Sequence, residues 1–307
     1  MPGMLIEGKW TDEWQERNPN GQYNPKPTTF RSRVTMDGAS GFKAETGRYH
    51  LYVALGCPWA HRTLIMRELK GLQQVISVSI VDPVMSDRGW TFSDTAADFV
   101  NHAQYLSEIY LKADPNYTGR VTVPVLWDRQ RQTIVNNESY EIVRMLDVEF
   151  AGLATQNVDF YPHELQAQID DTIDAITTSI SRRVYQAGFT TSQAIYEAAV
   201  TEIFEQLDHW EAVLGQQRYL CGNQLTEADI GFFTTLYRFD SVYYSHFKCN
   251  LRRIVDYPNL WNYLKALHQC PEFKVTCNLD HIKQGYYRSM PEINPSRIVP
   301  KGPILNF

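Results

Sequence analysis

LYVALGCPWAHRTLIMREL, residues 51–69, reads as a buried strand, a sharp turn and a helix. Pro58 follows Cys57 directly, and proline suits the first helical position because its missing N–H would be unpaired there anyway. Cys57 then stands at the N-cap, where unpaired amides and the positive end of the helix dipole stabilise an anion. A thiol so placed is expected to lose its proton more readily than a free cysteine, and the thiolate is the nucleophile. His61 and Arg62 lie one turn further in. A free cysteine is also a common small buried hydrophobe. What favours chemistry here is the strand–Gly–Cys–Pro–aromatic–helix context. The position three after Cys57 is Ala60 rather than a second cysteine, so a mixed disulfide cannot be resolved internally. The site calls for an external thiol.

Outward from this stretch, Arg48–Ala54 is the first strand of a domain and Gly71 ends the helix. VISVSIV, 75–81, is β-branched and alternating, hence a second strand, parallel to the first through a right-handed crossover. VTVPVLW, 121–127, is a third strand with Pro124 in its middle. Proline is out of place in a ladder. Either this is an edge strand, or Val123–Pro124 is a cis bond where backbone faces a ligand; the cis form is the preferred reading. Thr133–Val135 supplies an antiparallel partner, and a helix, ESYEIVRML, is expected from Asn137. The order βαβ then ββα is that of a thioredoxin-like domain, residues 48–150, in which a helix-start cysteine and a cis-proline loop meet. Asp82–Gly119 reads as a polar insertion, with helix expected in DTAADFVNHAQYLSEIYLKA. Insertions of this length tend to be functional.

Residues 1–47 are polar and rich in turn formers, and read as an extension over the core tacked down by Trp10, Trp14 and Phe30. After a linker at 151–159 the chain, 151–307, is helical. Leu165, Ile169, Ile173, Ile176, Ile180 and Val184 form one amphipathic stripe, and Ile195 to Leu214 another, closed by Gly215. Thr226 and Asp229 make a capping box, with Leu225 and Ile230 spaced as its staple. Another helix follows Pro258. The tail, Ile282–Phe307, carries four prolines and is expected to run across the surface. The fold class is therefore α/β plus all-α: a thioredoxin-like half followed by a helical bundle.

Composition narrows the function. The 307 residues carry a net charge of −6, which argues against a nucleic-acid backbone binder. Five cysteines, Cys57, Cys221, Cys249, Cys270 and Cys277, are odd in number and irregularly spaced, and the eight histidines form no His-Glu-x-x-His motif. This fits a reduced, cytoplasmic protein without a metal site, whose obvious external thiol is glutathione. The first residues lack the pattern of a signal peptide, and no apolar run reaches membrane-spanning length.

A thioredoxin-like half followed by helices, with Thr226-Glu-Ala-Asp229 capping an inner helix, resembles the glutathione transferases. More narrowly, GRYHLYVALGCPWAHRTLI, GRVTVPVLWD, NNESYEIVRML, RRVYQAGF and INPSRIVPKGP look like the glutathionyl-hydroquinone reductases, the Xi class, from about Phe30 to Pro303. The resemblance implies Cys57 as nucleophile, Trp90 covering glutathione and Arg120 meeting one of its carboxylates. It implies Val123 pairing with the cysteinyl backbone, and Glu138 and Ser139 holding the γ-glutamyl end. Tyr185, Tyr243 and Tyr286 would line the quinol pocket. It further implies a homodimer acting on glutathionylated aromatic quinols, with no nucleic-acid or membrane partner. The chain departs from the pattern at Gly285 and Met290, where family members often carry histidines. An omega-like thiol transferase, reducing dehydroascorbate or mixed disulfides, is the alternative: it would use the same Cys57 without the tyrosines. A non-catalytic scaffold is disfavoured by the retained thiol and the Glu-Ser pair.

Overall fold

The structure, a computed structural model, describes residues 3–12, 18, 20–93 and 96–307. The extension opens with a hairpin, Met4–Ile6 (β1) and Lys9–Thr11 (β2). Trp10 packs edge-on against Gly89, whose φ of +79° and missing Cβ leave room for the ring, and its Nε1 donates to the Asp87 carbonyl at 2.9 Å. Phe30 stacks on Tyr117. Trp14, the third expected anchor, lies outside the described residues.

Tyr49–Val53 (β3) is buried along its whole length because strands flank it on both sides. It leads through Cys57 into Pro58–Leu69 (α1), with Pro58 at the first helical position. The helix ends where Gly71 turns left-handed at φ +62° and its N–H reaches back to the Glu68 carbonyl. Ser77–Ile80 (β4) pairs parallel with β3.

Among the described residues of the insertion, regular helix is confined to Leu106–Ala113 (α2), shorter than the sequence suggests. Upstream, the Asp98 carboxylate accepts the amides of Val100, Asn101 and Ala103 and the Tyr52 hydroxyl. That local capping offers the backbone an alternative to helix.

Gly119–Arg120 (β5) pairs with β1, so the insertion's end and the N-terminal hairpin form a three-stranded sheet. Val125–Asp128 (β6) starts only after Pro124, since residues 121–124 turn their backbone away from the ladder; Val123–Pro124 is cis. Thr133–Asn136 (β7) completes the main sheet, ordered β4-β3-β6-β7, and Ser139–Arg144 (α3) follows, capped by Glu138 rather than starting at Asn137.

The helical half begins with Gln166–Ile176 (α4) and Arg183–Phe189 (α5). The stripe expected to be one helix is interrupted between them by a π-helical turn at Thr177–Ser181. There Thr178 and Ser179 donate back to the carbonyls of Asp174 and Ala175 and loosen the ladder. Gln193–Leu214 (α6) ends at Gly215, and Glu227–Arg238 (α7) begins with the expected capping box and is buried throughout. Another π turn, Phe239–Tyr243, extends α7, as Met145–Glu149 extends α3.

Pro258–Gln269 (α8), Pro271–Lys274 (α9) and Leu279–Ser289 (α10) complete the fold. Helix α10 corrects the expectation of a surface tail from Ile282. Asn278 caps it by accepting the His281 amide, and Ile282, Tyr286 and Tyr287 face the core. The helical spacing 282–286 was hidden by the prolines beyond it.

The two halves meet on α1, which packs against α3 on its own side and α7 on the other. Across this seam Arg144 of α3 forms an ion pair with the fully buried Glu227 of α7 at 2.8 Å. The capping carboxylate of α7, Asp229, accepts Thr226 N–H, Leu220 N–H and the Tyr263 hydroxyl at 2.8–2.9 Å. Asp229→Ala strands all three donors, so it is expected to cost about 3 kcal/mol or more in urea unfolding, against about 1 kcal/mol for Thr226→Ala. Equal losses would show that the cap alone matters.

Candidate active site

Two clefts meet at the start of α1. The first is lined by Cys57, Trp59, Trp90, Val123, Tyr185, Tyr286 and Met290. The second, about 500 Å³, runs past Arg62, Pro124, Glu138 and Ser139 under the extension segment around Tyr23. Arg120, Val123 and Tyr185 border both. Of the nine residues the sequence singled out, eight therefore line this continuous space. Tyr243 does not: it stands behind Tyr286 and supports it.

Cys57 is half-buried at the N-cap of α1, with extended φ and ψ of −81° and 123°. Its Sγ lies 3.6 Å from the Val123 carbonyl, so the thiol donates to the turn before the cis proline. Burial pushes the Cys57 thiol up from the ordinary cysteine value; the Ala60 amide, the Arg238 guanidinium, the Trp59 amide and Arg62 pull the other way. The expected depression is thus absent. The helix amides act as the sequence implies, but the pocket walls remove the sulfur from water, and that loss is larger.

Tyr185, Tyr243 and Tyr286 form one cluster. The hydroxyls of Tyr185 and Tyr286 are 2.5 Å apart, and those of Tyr243 and Tyr286 are 3.4 Å apart. Burial holds all three phenols above their usual range, so each is a neutral donor. Tyr185 and Tyr243 both interact electrostatically with Cys57. The π turns on either side matter here: one precedes the helix carrying Tyr185, and the other carries Tyr243. Trp59 stacks on Tyr185 at 6.1 Å, joining the start of α1 to the cluster.

At the far end, Ser139 donates to Glu138, whose other carboxylate oxygen accepts from Thr28 of the extension. Arg62 is fully buried between the rings of Trp59 and Tyr140, at 4.5 and 4.1 Å, and its Nη1 donates to Ser139 at 3.4 Å. Its Nε and Nη2 find no hydrogen-bond partner among the described residues. Gly285 backs onto the insertion, where an added Cβ would come within 3.0 Å of the Pro83 carbonyl. A histidine there would need that loop to give way.

The sequence reading passed over Arg238, Tyr23 and Tyr140. The one visible signal was Arg238, a lone cation in the otherwise apolar run from Ile230. Among the described residues no group of three or more His, Cys, Asp or Glu could hold a metal ion, and no helix is long and apolar enough to cross a membrane. All five cysteines are free.

A thioredoxin-like sheet with a helix-start cysteine, docked on a helical half, defines a class, and the comparisons agree. Residues 56–149 match the family model "Glutathione S-transferase, N-terminal domain" and 193–266 match "Glutathione S-transferase, C-terminal domain". The chain belongs to the glutathione transferases, within their Xi class, which includes the glutathionyl-hydroquinone reductases. It is 50% identical over 312 residues, 98% of this chain and 95% of the other, to glutathionyl-hydroquinone reductase YqjG of Escherichia coli (strain K12). A Xi-class transferase from Natrialba magadii superposes with a TM-score of 0.94 at 49% identity, over 99% of this chain and 94% of that one. The glutathione-bound structure of YqjG from Escherichia coli K-12 gives 0.91 at 48% identity, over 99% and 96%.

The raised thiol sets a pH dependence. Because its protonated form is favoured, the thiolate fraction grows only as pH climbs. Alkylation of Cys57 by iodoacetamide, followed by peptide mass spectrometry, is expected to keep rising to pH 9.0 and beyond. A plateau near neutrality would contradict the burial argument.

Proposed function

We propose that this protein is a glutathione-dependent reductase that removes glutathione from glutathionyl-hydroquinones. The glutathionyl part would lie across the junction of the two clefts. Glu138 would meet its ammonium, Ser139 and Arg120 its carboxylates, and the Val123 backbone its cysteinyl unit, with Trp90 covering it. The aromatic ring would lie against Tyr185 and Tyr286.

The sulfur of Cys57 attacks the glutathionyl sulfur and the ring carbon–sulfur bond breaks. The ring carbon must take a proton for the leaving group to depart, since an aryl carbanion is far too basic to leave alone. The balance closes: thiol plus aryl thioether becomes mixed disulfide plus hydroquinone, and the proton the thiol loses equals the one the ring gains. A thiol protonated at rest suits this. The neutral tyrosine hydroxyls can bond the quinol oxygens and relay that proton. A second glutathione then attacks the mixed disulfide, leaves as oxidised glutathione, and returns Cys57 to the thiol.

The observation that carries this reading is the pair of hydroxyls, Tyr185 and Tyr286, on the same cleft as the sulfur, with Tyr243 backing Tyr286. An omega-like thiol transferase would have no use for it. The expected homodimer and cytoplasmic location rest on the family resemblance and the free thiols, and the division near residue 150 on the change from sheet to helix.

Incubation with glutathionyl-menadiol should add one glutathionyl group to Cys57 by mass spectrometry, and Cys57→Ser should abolish turnover. Tyr286→Phe should lower kcat by about 10²-fold or more on this substrate and leave reduction of hydroxyethyl disulfide largely intact. Unchanged turnover of both substrates would favour the thiol-transferase reading.

A further inference from the structure

Arg238 is fully buried, yet it is the last residue of α7, on the opposite half of the molecule from Cys57. Its Nε donates to the Gly56 carbonyl and its Nη2 to the Leu55 carbonyl, each at 2.9 Å. These are the two residues just before Cys57. Its Nη1 donates to the carbonyl of Thr234 at 2.8 Å and meets His61 Nδ1 at 3.1 Å. Burial holds His61 well below the ordinary histidine value, so the ring is neutral. An Arg donor at Nδ1 then places its single proton on Nε2. That nitrogen donates to Thr276 Oγ1 at 2.8 Å, and Thr276 donates to the Phe273 carbonyl at 2.7 Å. The chain of donors runs one way, from α7 through α1 to the turn after α9, with every member buried.

A guanidinium is suited to this task. Its planar fork reaches two successive carbonyls at once and it stays charged when buried. Such a burial needs compensation. Among the described residues no carboxylate bonds to Arg238; the compensation comes from backbone carbonyls and one imidazole.

We propose that Arg238 is a positioning residue for the turn that carries Cys57: reaching across the seam, it fixes the Leu55 and Gly56 carbonyls and keeps a fixed cation beside the reacting sulfur. The inference rests on Cys57 being the nucleophile. Around the sulfur, Arg62 lies on α1, Tyr185, Tyr286 and Arg120 line the same cleft, and Tyr243 stands behind Tyr286. All the phenols are neutral, and Arg62 is committed to Ser139 and two rings. Arg238 is thus the cation that belongs to the turn itself, and the docking of the helical half becomes a condition for the chemistry of the other half.

The test compares the full-length protein with Arg238→Gln and Arg238→Lys. It measures the pH profile of Cys57 alkylation by iodoacetamide, kcat and KM for glutathionyl-menadiol, and thermal melting. Arg238→Gln should move the alkylation profile to higher pH, slow the reaction at pH 7 about tenfold, and lower kcat more than it changes KM. Arg238→Lys should restore most of the pH profile, since the charge remains, but not kcat, since one amine cannot hold both carbonyls. An unchanged pH profile in a folded Gln variant would overturn the proposal. If the Gln variant does not fold, a Lys variant with wild-type kcat and alkylation would overturn it equally. Loss of the nucleophile reading would look different: Cys57→Ser would retain turnover whatever stands at 238.

Discussion

Helix α1 has to satisfy two neighbours at once. One side of it closes the sheet half against α3, and the other is covered by α7, so its first turn cannot shift without disturbing both. Desolvation is the physical theme at that seam. Glu227, Arg238, Arg62 and His61 all lie out of reach of water. Each is held by a partner chosen for it: an arginine for the carboxylate, carbonyls for one guanidinium, aromatic faces and a hydroxyl for the other, and a donor–acceptor pair for the imidazole. Removing one partner of a buried charge leaves the other uncompensated, which costs far more than an exposed ion pair is worth. Polar contacts of this kind fix register where apolar packing alone would tolerate sliding.

The same desolvation explains why the Cys57 sulfur behaves differently from a free helix-cap thiol. Amides and guanidiniums favour the anion, while the walls of the cleft oppose it more strongly. The thiol donates to Val123 and keeps its proton next to phenols that are themselves neutral. A bound ligand can move the balance between these opposing effects by bringing its own dipoles to the cleft.

Much of this was legible in the chain. Strand β3, the Cys57–Pro58 helix start, the turn at Gly71 and the capping box at Thr226 are local signals in which residue type and geometry agree. The site residues at 90, 120, 123, 138, 139, 185 and 286 could be named because a family pattern placed them, and the folded chain gathers them around two joined clefts. What escaped was set by distant partners. The π turn at Thr177–Ser181 leaves the apolar stripe intact while breaking the ladder, so periodicity alone could not reveal it. Helix α10 was masked by the prolines that follow it, and β1, β2 and β5 are too short to be seen until they pair. The thiol's raised pKa depends on walls contributed by segments far apart in the sequence, which no local motif encodes.

The hairpin at the N-terminus has a practical consequence. β1 is bonded to the strand that carries Arg120, and the Trp10 ring fills the space beside Gly89, immediately before Trp90. The rim of the cleft is therefore built partly from residues that a domain parser would discard as a leader. Anyone trimming the chain back to its family-matched core, from residue 56 onward, would not obtain a smaller version of the same catalyst. They would take out one of its walls, and β3 with it.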